Sequence, residues 1–207
     1  MPTDRRRESA AAERIRRAAI ASFAEVGYGA TSTRQIAKRL NMSAAAMYPH
    51  YGSKEELLYA IAEEGHRGVL TTLRSVDDED RSAAQRLAAV VTAFTMWQAE
   101  HHDLAKVVQY ELHGLTRPHY AAIARIRRDT TEVLARIVRL GEDTGEFDVE
   151  SVDDVVLAIS SLCVDVCRWF PSRTHRDPQA LGALYAGLAL RLGTPGKAPT
   201  GRGGGLW

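Results

Sequence analysis

Arg34 and Gln35, at the start of one short helical pattern, and Ala44, Ala45 and Ala46, at the start of the next, carry side chains able to meet duplex DNA. A guanidinium or an amide can touch a phosphate or a base edge, and alanine methyls can pack on the methyl of thymine. A corner places them. The patterns over 33–40 and 43–48 are separated only by Asn41 and Met42, a gap suited to a tight helix-turn-helix. Asn tolerates the left-handed backbone that ends a helix, and the Ser43 hydroxyl can cap the helix that follows. An ordinary helical hairpin is the alternative reading of the same pattern.

The corner needs a platform. Ile36, Ala37 and Leu40 share one face of the first helix, and Met42 and Met47 can close over it. A preceding segment, 13–26, repeats Ile15, Ala19, Ile20 and Phe23 at helical spacing and stops at Gly27, which completes a three-helix head. Residues 1–54 hold ten Lys/Arg against four Asp/Glu, a balance of +6, so the rest must carry −5 to reach the formal +1 of the chain. Positive charge is therefore concentrated where phosphate neutralisation would use it. Arg5, Arg6 and Arg7 read equally as a solvated charge run or as an arm for phosphate or the minor groove.

The run Thr33, Ile36-Ala37, Ser43, Tyr48, His50-Tyr51, Ser53-Lys54 and Leu57-Leu58 resembles the N-terminal signature of the TetR/AcrR family of transcriptional repressors. The resemblance implies an all-α protein that binds a near-palindromic duplex operator as a homodimer and is released by a small-molecule effector. It also implies that Thr33, Ser43, Tyr48, His50 and Lys54 clamp phosphates, with Arg34, Gln35 and Ala44 to Ala46 nearer the bases. His50 reads alternatively as a surface histidine at a helix end. Leu40-Asn41-Met42 stands where the family usually has Ala-Gly-Val, and Ala44-Ala45-Ala46 replaces longer or polar side chains.

Behind the head the chain reads as helices throughout. Ser53 caps a long segment to Val76 that joins head and body, and further segments cover 81–101, 103–112, 118–140, 151–170 and 178–192, with Gly114, Gly141 and Gly193 as stops. No useful alternating strand pattern is present, so the expectation is about nine helices: a DNA-binding head over 1–54, a ligand-binding and dimerisation body over 55–193, and a disordered Gly/Pro-rich tail over 194–207. The segments 151–170 and 178–192 are the expected dimer surface. Val152, Val155, Val156, Ile159, Leu162, Cys163 and Val166 give one an apolar face, and Leu181, Leu184, Tyr185 and Leu188 give the other its own. Gly182, Ala183, Ala186 and Gly187 allow close approach. An internal core is the alternative for both faces.

If the resemblance holds, an effector pocket lies in the body. Phe94, Trp97, Tyr110, Tyr120 and Trp169, with the polar His101, Glu111 and His113, are its candidate lining, although packing alone also explains the aromatics. The stretch Cys167-Arg168-Trp169-Phe170-Pro171 resembles a branch of the family that answers to acyl-CoA thioesters, for whose phosphates Arg125, Arg127, Arg128 and Arg168 are available. Ion pairing on helix surfaces is the alternative for these arginines.

Cys163 and Cys167, four apart, read as buried apolar residues or as a thiol or soft-metal pair. No metal or cofactor is expected. No apolar run approaches the roughly 20 residues of a membrane span, so the protein is expected to be cytoplasmic. An enzyme is not expected. Glu63 and His66 have the Glu-x-x-His spacing of a di-iron bundle, but no second pair occurs, and a solvated helix face is the simpler reading. A helical ligand-binding protein without DNA function is the remaining alternative.

Overall fold

A computed structural model describes the backbone of residues 2–193 and the side chains from residue 10 onward. Both Arg5 to Arg7 as side chains and the tail over 194–207 lie outside the described residues. Eight α-helices follow in order: α1 (Pro2–Val26), α2 (Thr33–Arg39), α3 (Lys54–Val76), α4 (Ala83–Glu100), α5 (His102–Tyr110), α6 (Arg117–Thr144), α7 (Val152–Trp169) and α8 (Pro178–Gly193). Single 3-10 turns occupy Ala44–Met47 and Leu112–Gly114, and no strand occurs among the described residues.

The corner forms as its chemistry dictates. Asn41 has φ +53, the Ser43 hydroxyl accepts from the Ala46 N–H at 3.3 Å, and Gly27 ends α1 with φ +84. The segment after the corner is shorter than the α-helix expected over 43–48. Pro49 has no N–H to return to the carbonyl of Ala45, so the alanine run closes one 3-10 turn and stops. Ile15, Ala19 and Phe23 of α1, Ile36 and Ala37 of α2, and Met47 are all buried against Leu57, Leu58 and Ile61 of α3. One continuous core then runs from the head along α3 into the body.

Body packing centres on α4, which contacts α3, α5, α6, α7 and α8. Its N-terminus is capped twice. Ser82 and Gln85 form a reciprocal capping box, and the Glu146 carboxylate accepts from the Ala83 and Ala84 N–H groups, both at 3.0 Å. These backbone bonds to Ala84 and Ala83 hold the Glu146 carboxyl below its usual value.

Two expectations about the body need correction. Helix α6 does not stop at Gly141 but runs to Thr144, where Gly145 takes φ +73. Gly141 is instead a site of contact, because a Cβ there would lie 2.0 Å from Cδ2 of Phe147. Likewise, much of the apolar surface assigned to dimerisation faces inward. Val156, Ile159, Cys163 and Val166 of α7 are buried, and Gly182 of α8 lies against Thr92 of α4. Helices apolar on more than one face give no sequence sign of which face is internal. The outward residues are Leu157 and Leu162 on α7 and Leu184 and Leu192 on α8. No helix among the described residues is long and apolar enough to cross a membrane.

Candidate functional site

On the head, α2 and the 3-10 turn present a common outer face. Arg34, Gln35, Ser43, Ala45, Ala46 and Tyr48 are exposed, while Thr33, Ala44 and His50 are half-buried. Lys38, which the sequence reading passed over, is exposed on α2 as well. Gln35 completes a capping box in which its Oε1 accepts from the Ser32 N–H at 2.7 Å, leaving the amide NH2 free of that bond. Lys54 is not a free cation. Its ammonium donates to the carbonyls of Tyr28 at 2.9 Å and Thr31 at 2.8 Å and stands 4.1 Å above the Tyr28 ring. Two of three protons thereby lock the turn before α2 to the first turn of α3.

Inside the body, a cavity of about 260 Å³ opens among α3, α4, α5, α6 and α7. Phe94 and Trp97 line it. His101 is absent from its wall and packs against Trp97 at 4.9 Å on the outer groove between α3 and α4. Tyr110, His113 and Tyr120 are exposed, Glu111 accepts from the Tyr28 N–H at 3.2 Å, and Trp169 packs edgewise on Phe170 and His175. Among the four arginines, Arg127 lines the cavity; Arg125 and Arg128 are exposed outside it, and Arg168 is paired with Asp165 at 2.7 Å.

His66 is the residue most misread from sequence. Glu63 lies toward the surface in an ion pair with Arg67 at 2.9 Å, whereas His66 turns into the cavity with Nε2 buried. Burial first, and the charge of Arg127 second, push its pKa down to about 4 against a hydrogen bond to the Val108 backbone. The imidazole is neutral at pH 7. The unfolded chain takes up this proton near 6.5 and the folded chain only near 4, so the unfolded state binds more protons across that window. Stability should then fall by about 3 kcal/mol as pH drops from 6.5 to 4. Urea midpoints measured across this range should decline less steeply in His66→Gln than in the unsubstituted chain, and parallel declines would count against a buried neutral imidazole.

The two cysteines serve the core rather than a sensor. Burial pushes Cys163 up to about 12 and Cys167 up to about 11, so both are protonated thiols. Cys163 lies 3.6 Å from the Thr95 hydroxyl and Cys167 donates to the Val164 carbonyl at 3.1 Å.

Bonds tie the start of α6 to the first turn of α3, and α5 with the residue after it to the head. Glu55, on the first turn of α3, accepts from the Thr116 N–H at 2.8 Å and meets His119 Nδ1 at 2.8 Å, with His119 stacked on Tyr59 at 3.9 Å. Burial opposes ionisation of Glu55, but the Thr116 and His119 bonds outweigh it and hold its carboxyl below the usual value. Glu111 at the end of α5 holds Tyr28, and Lys106 of α5 donates to the Ala24 carbonyl at 3.2 Å.

Family models match both the head and the body. Residues 15–61 match the family model "Bacterial regulatory proteins, tetR family", and residues 80–192 match "Tetracyclin repressor-like, C-terminal domain". A bacterial regulatory protein in the tetR family from Rhodococcus RHA1 has a similar solved structure, 49% identical, with TM-score 0.87, covering 90% of this chain and 98% of that one. The HTH-type transcriptional repressor KstR2 of Mycobacterium tuberculosis is 26% identical over 178 residues, 83% of this chain and 87% of its own. The fatty acid metabolism regulator protein of Bacillus subtilis is 26% identical over 130 residues, 63% of this chain and 67% of its own.

Proposed function

The chain belongs to the tetR family of bacterial regulatory proteins, and on that premise we propose that it acts as a repressor released when a metabolite fills the inner cavity. It is a DNA-binding transcriptional regulator that works as a homodimer and responds to a small-molecule effector. The head over 1–54 reads DNA and the body over 55–193 senses and dimerises. It performs no catalysis and acts in the cytoplasm, where its duplex target lies.

Arg34, Gln35, Lys38, Ser43, Tyr48 and His50 meet phosphates or base edges, helped by the remaining proton of Lys54, and Ala45 and Ala46 approach thymine methyls. Two such heads on a twofold axis set their turns into successive major grooves. The outward leucines of α7 and α8, among them Leu157, Leu162 and Leu184, supply the shared surface.

The observation that carries the release mechanism is that α3, α5 and α6 line the cavity, while Lys106 and Glu111 bond Ala24 and Tyr28 of the head and Thr116 and His119 bond Glu55 on the first turn of α3, beside the Lys54 that holds the head turn. A ligand that favours a wider separation of α3 from α6 would move the heads and lower operator affinity, by roughly 5- to 150-fold for ordinary allosteric coupling. An acyl-CoA thioester is a suitable effector class if its acyl end enters the cavity and its nucleotide stays outside near Arg127. The similarity to a fatty acid metabolism regulator supports that class.

Duplexes selected from genomic DNA, then challenged with a panel of CoA thioesters, test the reading: at least one should release the operator. Glu55→Gln should leave ligand affinity within about twofold while shrinking the ligand-induced loss of operator affinity several-fold, a difference read by anisotropy titrations with and without ligand. An unchanged ligand response in this variant would remove the α3–α6 link from the mechanism.

A further inference from the structure

Two polar atoms in the cavity wall, His66 Nε2 and Ser160 Oγ, are buried without a hydrogen-bond partner among the described residues. Much of the surrounding wall is apolar, with Val69, Phe94, Trp97, Val108 and Val164. A buried polar atom left unsatisfied is costly, and an apolar chamber holding two of them is complementary to a ligand that supplies what they lack. The volume of about 260 Å³ sits just below the range of drug-sized sites, so the occupant is compact or is one end of a longer molecule.

The protonation of His66 fixes what kind of polar group fits. The Val108 backbone favours a proton on the ring, as a carbonyl beside an imidazole N–H does, and with Nε2 unpartnered that proton belongs to the other nitrogen. Nε2 then offers a lone pair, and the ligand must donate to it. Ser160 has a rotatable hydroxyl that can donate in return. A ketone or an ether provides no donor. A carboxylate sets further lone pairs against Nε2 and finds, among the described residues, Arg127 as the one cationic side chain lining the cavity.

We propose that the cavity selects a compact apolar molecule, or the apolar end of a larger one, that carries an alcohol: its O–H donates to His66 Nε2 and its oxygen accepts from Ser160 Oγ. This rests on the reading of the cavity as the effector site and adds the chemistry of the buried group. In a thioester effector the alcohol would lie on the buried acyl end, away from the nucleotide.

Calorimetric titration of the full chain with 1-nonanol, its isomer methyl octyl ether, and nonanoate tests the proposal. The alcohol should bind at least about tenfold tighter than the ether, which matches it in composition and lacks only the donor. His66→Phe and Ser160→Ala should each reduce that preference by about tenfold and change ether affinity by less than about threefold. Equal affinity for alcohol and ether, tighter binding of nonanoate, no binding of the alcohol at its solubility limit, or a preference that survives in folded His66→Phe would each overturn it. Should His66→Phe not fold, the ligand pair on the unsubstituted chain and Ser160→Ala decide. Alcohol binding that depends on His66 but leaves duplex affinity unchanged would support this assignment while sinking the release mechanism; release of duplex by a CoA thioester without any uptake of the alcohol would do the reverse.

Discussion

Ala45→Glu is expected to lower affinity for the selected operator at least about a hundredfold while leaving thermal stability unchanged, because like charges brought together at an interface cost several kcal/mol. Ala45 is exposed on the 3-10 turn between the buried Met47 and the Ser43 cap, so the added carboxylate has space in the free protein. In the complex the same carboxylate would face bases and phosphates in the groove, and in a homodimer it would do so twice. Ala45→Lys is the control: it lengthens the side chain equally but brings a cation, and its non-specific affinity should rise with a steeper salt dependence. Anisotropy titrations of both variants against operator and scrambled duplex provide the measurement. Equal affinity of the Glu variant and the parent would place the reading surface elsewhere.

Gly141→Ala should be the most damaging small substitution in the body. The new Cβ would meet the Phe147 ring at 2.0, 2.5 and 2.6 Å, the Phe147 N–H is held by the Gly141 carbonyl at 2.9 Å, and the buried ring also packs on Gly193, so it has little room to withdraw. Overpacking of this severity should cost about 3 kcal/mol or more, lowering the melting temperature of a chain this size by roughly 10 °C. Gly145→Ala has nothing within 4 Å of its Cβ and suffers only from φ +73, for a loss of about 1 kcal/mol. A second change, Phe147→Leu, should restore part of the Gly141→Ala loss. If Gly145→Ala proved the worse of the two, the helix stop rather than the Phe147 contact would govern this corner.

Local chemistry was legible in the sequence wherever one or two neighbouring residues determine the backbone. Asn41, Ser43, Gly27 and Ser53 stand where their side chains or their conformational freedom dictate. The helix segments of the body were legible for the same reason. Gly141 was not, because a glycine that ends a helix and a glycine that admits an aromatic ring look alike until Phe147 is folded back onto it. The Glu146 cap on α4 was equally hidden, since it joins residues far apart in the chain.

The cavity was the least legible feature. Helical spacing located Phe94 and Trp97, but a stripe of aromatics does not say which lie inside, and Tyr110 and Tyr120 turn outward. His66 was hidden by its neighbours. Glu63 and Arg67 give that stretch of α3 the look of a solvated face, and they do form a surface ion pair while the imidazole points the other way. A histidine three residues from one charged partner and next to the other carries no sequence mark of burial. Lys54, by contrast, has fewer free protons than its position implied, because the Tyr28 and Thr31 carbonyls come from a turn whose path depends on Gly27.

The central claim is that paired, positively charged heads grip duplex DNA. Stoichiometry and salt dependence measured together on one selected duplex test it most directly. Two chains per near-palindromic duplex are predicted, with affinity falling about a thousandfold or more between 50 and 200 mM salt, as several phosphate contacts require. One chain per duplex with salt-insensitive affinity, or no retention of duplex at 50 mM salt, would contradict the account.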